Sequence, residues 1–249
     1  MNFGVFMLRA LLTLSFVISA LGWAQPAMAD VQVTEAALAP TDVPAVGRID
    51  LAGRGYCTGT LVAPDLVLTA AHCLYDKDTG AAFAAHQLVF RAGYRNGRAL
   101  VDAPAARLAV APEYDRLQRA QIGTLRHDVA LLQLSHPISR SLVPPLAMGQ
   151  PDLSGATAGV LSYGAGSSEQ LQLQQGCDLA AHPEGVFVTR CLASHGASGA
   201  PVLQWQRGQL QIVSLVSAMA RADGAPVALT VAPATLVEGL IARLALGDT

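Results

Sequence analysis

A chain of 249 residues with a formal charge of −2 and only 14% charged residues is long enough for one sizeable core or two intimately packed halves. That balance provides neither the basic footprint that nucleic acid needs nor the polybasic patch that anionic lipid needs, so neither is an expected partner. The chemistry has to be sought in particular residues.

The first residues carry Arg9, an apolar run from Ala10 to Trp23 and the small-x-small pattern Ala27-Met28-Ala29. This reads as a secretory signal peptide over residues 1–29, cut before Asp30. The run is shorter than the roughly 20 residues of a spanning helix, so no membrane attachment is expected after its removal, and the destination is the periplasm or the cell exterior. Residues 30–42 are polar and alanine-rich and read as a short pro-segment or a disordered start.

Export decides how the cysteines are read, because thiols that leave a reducing compartment tend to pair. There are four, Cys57, Cys73, Cys177 and Cys191, with no C-x-x-C pair, and the six histidines show no H-E-x-x-H or H-x-H spacing. Two disulfides are therefore expected, with no metal site and no other cofactor. Four cysteines allow three connectivities, of which Cys57 with Cys73 and Cys177 with Cys191 closes the shortest loops.

From residue 43 onward, short runs rich in Val, Leu, Ile and Thr recur between Gly, Pro and Asp breaks: "TLVAPDLVLTAA", "HQLVFRAG", "DVALLQL", "GVLSYGAG", "GVFVTRC" and "VALTVAP". Such spacing predicts an all-β barrel or sandwich. "LQWQRGQLQIV" sets polar residues and a glycine between two strands, which is a hairpin signal. A proline-rich, weakly periodic stretch at 136–152 reads as the linker between a first half over 43–135 and a second over 153–232. At the end, Leu236, Val237, Leu240, Ile241 and Leu244 follow helical spacing and predict a helix over 234–246 that packs by its apolar stripe.

Three segments carry candidate chemistry. In "CLASHGASGAPV" Ser198 stands in a glycine-flanked turn, one way to hold a hydroxyl clear of its backbone beside N–H groups that face the same spot. In "CTGTLVAPDLVLTAAHCL" His72 ends an apolar strand beside Cys73, and a loop tied back to Cys57 would lock the imidazole as a general base requires. In "RHDVALLQL" Asp128 adjoins an apolar strand, where a charge is costly to bury unless paired, and it is the candidate to accept from the His72 ring. His127 reads as a surface neighbour.

The segments "GTLVAPDLVLTAAHC", "HDVALLQL" and "GASGAPV" resemble the His, Asp and Ser motifs of the trypsin/chymotrypsin-like serine endopeptidases, particularly the bacterial secreted branch with glutamyl-endopeptidase-like members. The resemblance spans about residues 43–246. It implies two packed six-stranded antiparallel β-barrels with a C-terminal helix, and a catalytic triad of His72 as base, Asp128 as its orienter and Ser198 as nucleophile. It further implies an oxyanion hole from the N–H groups of Gly196 and Ser198, and a monomer acting on peptide or protein substrates. Two positions depart from the family's G-D-S-G-G-P pattern: Ala197 stands where an Asp would bind a newly cut N-terminus, and Ala200 adds a methyl group to a tight turn. Activation is thus expected to need no buried N-terminal ion pair.

For the substrate pocket the resemblance points to Leu192 and Ala193 at the base and to Ser214 and Val216 on the wall. Those residues disfavour a basic side chain and favour small uncharged ones. The alternative is glutamyl specificity, with Val213 at the matching wall position and Ser194, His195, Ser214 and Ser217 as possible donors. A catalytically silent binding module is the alternative from another class, although such a module has no chemical need for all three triad residue types.

Overall fold

The computed structural model describes Met1 and residues 39–118, 121–164 and 166–247. Apart from Met1, the expected signal peptide lies outside the described residues, as does most of the 30–42 start; Pro40–Asp42 forms a 3-10 turn. Among the described residues no helix is long and apolar enough to cross a membrane.

The Val-, Leu- and Thr-rich runs form strands where their alternation can turn one face inward. In the first half these are β1 (Val46–Leu51), β2 (Tyr56–Ala63), β3 (Leu66–Thr69), β4 (Leu88–Ala92) and β5 (Val101–Val110), then the single helical turn α1 (Ile122–Leu125) and β6 (Ala130–Leu134). They close an antiparallel barrel in the order β1-β2-β3-β6-β5-β4. The two-residue period is plain on β4, where Leu88, Phe90 and Ala92 are buried and Val89 and Arg91 are half-buried. β6 is less alternating, since Ala130, Leu131 and Leu132 are all buried.

The second half contains β7 (Ala147–Met148), β8 (Ala158–Ser162), β9 (Gln172–Cys177), β10 (Leu179–Ala181), β11 (Phe187–Thr189), β12 (Pro201–Gln206), β13 (Gln209–Ala222) and β14 (Ala225–Val231). Here the structure differs from a second closed six-stranded barrel. Its strands form one eight-stranded sheet in the order β10-β11-β14-β13-β12-β8-β9, with β7 paired to β13. The edge strands β9 and β10 are joined through Asp178 alone, so their facing ends lie within about 7 Å and the sheet must curl until its edges meet. No ladder seals that seam. β10 is only three residues long, and Gln175, Gly176 and Asp178 beside the junction are exposed, so closure would bury polar groups for few hydrogen bonds.

The proline-rich linker is stitched down rather than free: Ile138 and Val143 are buried, and Ala147–Met148 runs parallel to Gln211–Ile212. The expected hairpin joins β12 and β13 through Arg207 and Gly208, both with positive φ as a two-residue I′ turn requires. The terminal helix α2 (Val237–Leu246) packs Val237, Leu240 and Leu244 against β5 and β6, and Arg107 Nη1 donates to the Leu244 carbonyl at 2.9 Å. Ile241, expected on the same stripe, is exposed.

Leu161, Leu203, Ile212, Leu215 and Val231 of the second sheet belong to the same buried cluster as the first barrel, so one apolar core runs across the seam. At its edge Arg48 of β1 donates to Asp50, Glu169 and the Ser168 carbonyl while its guanidinium lies over the Tyr94 ring. A cation held over an aromatic face and between carboxylates ties the two halves polar-side as well.

Both disulfides are local, Cys57 to Cys73 and Cys177 to Cys191, with sequence separations of 16 and 14. Loops of that length give a bridge about 3 kcal/mol in the chain-entropy account. Replacing Cys177 and Cys191 together by Ala is expected to lower unfolding stability by about 2–5 kcal/mol, read from full urea curves as a lower midpoint with a slope that rises as the unbridged denatured chain exposes more surface.

Candidate active site

β3 ends at Thr69 and the chain enters a 3-10 turn, Ala71–Leu74, in which Cys73 is bonded to Cys57 of the neighbouring strand β2. That bond fixes the turn carrying His72. The imidazole is packed against the bridge: ligand atoms of Cys57, His72 and Cys73 lie within 4.8 Å of one another. Because both sulfurs are consumed by the disulfide, they offer no thiolate to a metal, and the grouping is an imidazole resting on a disulfide.

Asp128 follows α1, its N–H donating to the Leu125 carbonyl at 2.8 Å, and leads directly into β6. Its side chain is buried, with the residue 1% exposed, yet both oxygens are paired. Oδ1 accepts from the His72 backbone N–H at 2.8 Å, and Oδ2 lies 2.7 Å from His72 Nδ1 and 2.5 Å from the Ser217 hydroxyl that donates to it. A carboxylate at Nδ1 assigns the proton to that nitrogen and leaves Nε2 as the acceptor.

Burial pushes the Asp128 carboxyl up, but the neighbouring His72 and the hydrogen bonds from His72 and Ser217 outweigh it and hold the group below the ordinary carboxylate range. A carboxyl that binds its proton more weakly in the folded chain adds stability that is complete above about pH 5, begins to fall near the unfolded value of about 4, and is lost as pH falls through the depressed value. Asp76, Asp152 and Glu169 are displaced the same way, so the Asp128 share is a difference between two proteins. Wild type is expected to lose more stability in urea titrations between about pH 5 and pH 2 than Asp128→Asn does.

Ser198 lies half-buried in the turn between Cys191 and β12, flanked by Gly196 and Gly199 at φ 93° and 78°. The turn closes on itself through Ala197 N–H to the Ser194 carbonyl at 3.0 Å and Ala200 N–H to the Ala197 carbonyl at 2.9 Å. It is fastened to β13 by Gly199 N–H to the Val216 carbonyl at 2.8 Å, and to β2 by Thr58 N–H to the Ser198 carbonyl at 2.9 Å. The Ser198 carbonyl also lies 3.9 Å from the Cys73 sulfur, which places this turn against the bridge that carries His72. Ala197 is buried and without charge, and Ala200 is buried in the second core cluster with Cys191, Val202 and Val216, where a methyl group adds to the apolar packing.

The expected pocket residues are placed differently. Leu192 is 49% exposed, its backbone clamped on both sides by the Gln174 side-chain amide at 2.7 Å, and Ala193 packs against the second cluster. Ser214, expected on the wall, is fully buried with an unpaired hydroxyl, and Val216 is buried behind the Ser198 turn. The reason is a pair of bulges in β13. Val202 faces Ser214 but Leu203 faces Ile212, and Val216 faces Thr230 but Ala218 faces Leu229, so Val213 and Ser217 are each an extra residue. A bulge re-aims its side chain, and the second one sends Ser217 to Asp128. Sequence reasoning offered Ser217 only as a substrate donor and did not single out Thr58 at all.

Two comparisons bear on this arrangement. A family model described as a trypsin-like peptidase domain matches residues 57–211. The solved structure of a Glu endopeptidase in complex with MPD is similar with a TM-score of 0.64 and 23% identity, over 81% of this chain and 92% of that one.

Proposed function

The chain belongs to the trypsin-like peptidase family and is a serine endopeptidase, and from that premise we propose that His72, Asp128 and Ser198 are its catalytic triad. The observation that carries this reading is the buried Asp128 carboxylate paired with both the N–H and the ring of His72. With Nδ1 protonated, Nε2 takes the proton of Ser198 as its Oγ attacks the scissile carbonyl carbon, and Asp128 steadies the imidazolium that forms. Negative charge on the former carbonyl oxygen is met by the N–H groups of Gly196 and Ser198. The imidazolium then gives its proton to the leaving amine, and water, activated by the same nitrogen, hydrolyses the acyl-enzyme. A silent binding module would keep a costly buried carboxylate for no purpose.

The substrates are peptides or proteins, cleaved after small uncharged residues. Between Cys191 and His195, and between Ser214 and Met219, there is no acidic residue to meet a basic side chain. With Ser217 committed to Asp128, the residues that follow on β13, Ala218 and the 53% exposed Met219, take the place at the entrance that Val216 was expected to hold. Cleavage after Glu is the second reading; it is favoured by exposed His195, three residues before Ser198 and able to donate to a carboxylate. The chain acts as a monomer after export through residues 1–29, and two disulfides suit an oxidising compartment.

Cleavage-site profiling of a peptide library with the mature protein tests the function and the specificity together. Cuts after Ala, Val or Thr are the expected result. Cuts chiefly after Glu, or after Arg and Lys, overturn the pocket assignment, and no cleavage at all overturns the enzymatic reading.

A further inference from the structure

We infer that Thr58 is a positioning residue that holds the oxyanion-binding turn in its working geometry from across the domain seam. This rests on the reading of Ser198 as nucleophile and of Gly196 and Ser198 as oxyanion donors. Thr58 lies on β2 opposite Arg48, immediately after Cys57, and is wholly buried. The pairing of β2 with β3 begins only at Thr60 and Leu68, so the Thr58 peptide has no sheet partner on that side. The Ser198 turn occupies the vacant place.

Four hydrogen bonds meet at this residue. Its N–H donates to the Ser198 carbonyl at 2.9 Å, and its carbonyl accepts from the Thr69 hydroxyl at 2.9 Å. Its own hydroxyl donates to the Gly196 carbonyl at 2.8 Å and accepts from the Tyr163 N–H at 3.1 Å. A hydroxyl has one proton to give, and here it is given to the turn. The carbonyls of Gly196 and Ser198 are thus both held by one residue of the first barrel, which fixes the Gly196–Ala197 and Ser198–Gly199 peptides on either side of the Ala197–Ser198 peptide that carries the Ser198 N–H.

The lock is closed from the other side by contact. A Cβ at Gly196 would strike the Tyr56 ring and come within 2.5 Å of the Tyr163 carbonyl, so the turn has no slack in that direction. Tyr163 is itself anchored, its hydroxyl donating to the Tyr94 carbonyl at 2.8 Å, and Tyr94 lies under the Arg48 guanidinium. Ala197, by contrast, has no side-chain atom that could form an ion pair. The orientation of the turn is therefore carried by a buried neutral hydroxyl rather than by a charge, and this arrangement needs no new chain terminus to form it. Hydrogen-bond donors aimed in advance at a developing charge are effective only if their peptides do not reorient during the reaction.

The test uses the full mature chain and a fluorophosphonate probe, with the maximal labelling rate constant and the half-saturating probe concentration measured separately for wild type, Thr58→Val and Thr58→Ser. Thr58→Val is nearly isosteric and removes the hydroxyl; it is expected to slow the labelling step about 10- to 100-fold while half-saturation stays within about threefold. Thr58→Ser keeps the hydroxyl and is expected to restore the rate to within about threefold of wild type. A purely structural role would lower the fraction of molecules that label, at an unchanged rate for those that do, and that outcome overturns the inference. So does a Thr58→Val rate equal to wild type, or a Thr58→Ser rate no better than Thr58→Val. If Thr58→Val does not fold, Thr58→Ala is read by the same criteria. A wild-type chain that is not labelled overturns the assignment of Ser198 and this inference with it, whereas failure in the variants alone overturns only the role of Thr58.

Discussion

Asp128→Asn is expected to keep the fold and to lower turnover on the order of 10⁴-fold, the scale known for this change in a Ser-His-Asp site. An amide is the same size as the carboxylate but carries one acceptor oxygen where Asp128 has two. Oδ1 must still accept from the His72 backbone N–H, so the amide NH2 would face Nδ1 and the Ser217 hydroxyl. Two donors cannot face each other, and the imidazole would move its proton to Nε2, where it can no longer act as a base toward Ser198. Kinetics on a peptide taken from the library profile, beside a thermal melt of the same preparation, separate lost catalysis from lost folding. A rate near wild type would mean that another acid orients His72.

Gly199→Ala carries the second large effect, and here the fold and the site fail together. Gly199 has φ 78°, a region that costs an alanine about 1–2 kcal/mol. The added Cβ would also meet the Thr69 hydroxyl, the Thr58 carbonyl and, at 2.9 Å, the Ala70 nitrogen. Two of those three atoms are backbone of β2 and of the approach to His72, so neither can give way without moving the base or the turn. Stability is expected to fall by about 2–4 kcal/mol, combining left-handed strain with overpacking, and activity by more than about 10²-fold. Circular dichroism, a urea midpoint and the labelling rate measured on one sample check both parts. An active, fully stable Gly199→Ala would show that the turn does not sit as tightly on β2 as its neighbours imply.

Much of this was legible in the residues themselves, for identifiable reasons. The strands declare themselves because runs such as "TLVAPDLVLTAA" and "DVALLQL" are bounded by turn formers, and the β12 to β13 hairpin because Arg207-Gly208 can adopt the positive φ it needs. The disulfides follow from short loops. His72 and Asp128 stand out because each is a polar residue at the end of an apolar strand, and the structure brings them to 2.7 Å.

What stayed hidden is whatever depends on register. Nothing in "IVSLVSAM" says that β13 carries an extra residue at Val213 and another at Ser217, so a strict two-residue period sends the wrong serine to the wall. Thr58 was silent for a different reason. Three of its four partners, Tyr163, Gly196 and Ser198, are more than a hundred positions away, and a threonine in a strand gives no sign of what its hydroxyl will meet. The short strands β9 and β10 were hidden too: "QLQQGC" is polar and β10 only three residues long, so neither stands out as an apolar run, and whether their edges pair depends on polar residues at one corner of the sheet.

Whether Ser198 is a nucleophile activated by His72 is read directly from one labelling experiment. The mature protein is incubated with a fluorophosphonate, digested, and mapped by mass spectrometry. Attack by Ser198 Oγ on phosphorus expels fluoride and leaves a phosphonyl ester, while the serine proton passes to His72. The predicted result is a single adduct on the peptide containing Ser198, absent from Ser198→Ala and strongly reduced in His72→Ala. A folded wild-type protein that takes up no label, or is labelled equally well in Ser198→Ala, would contradict the account.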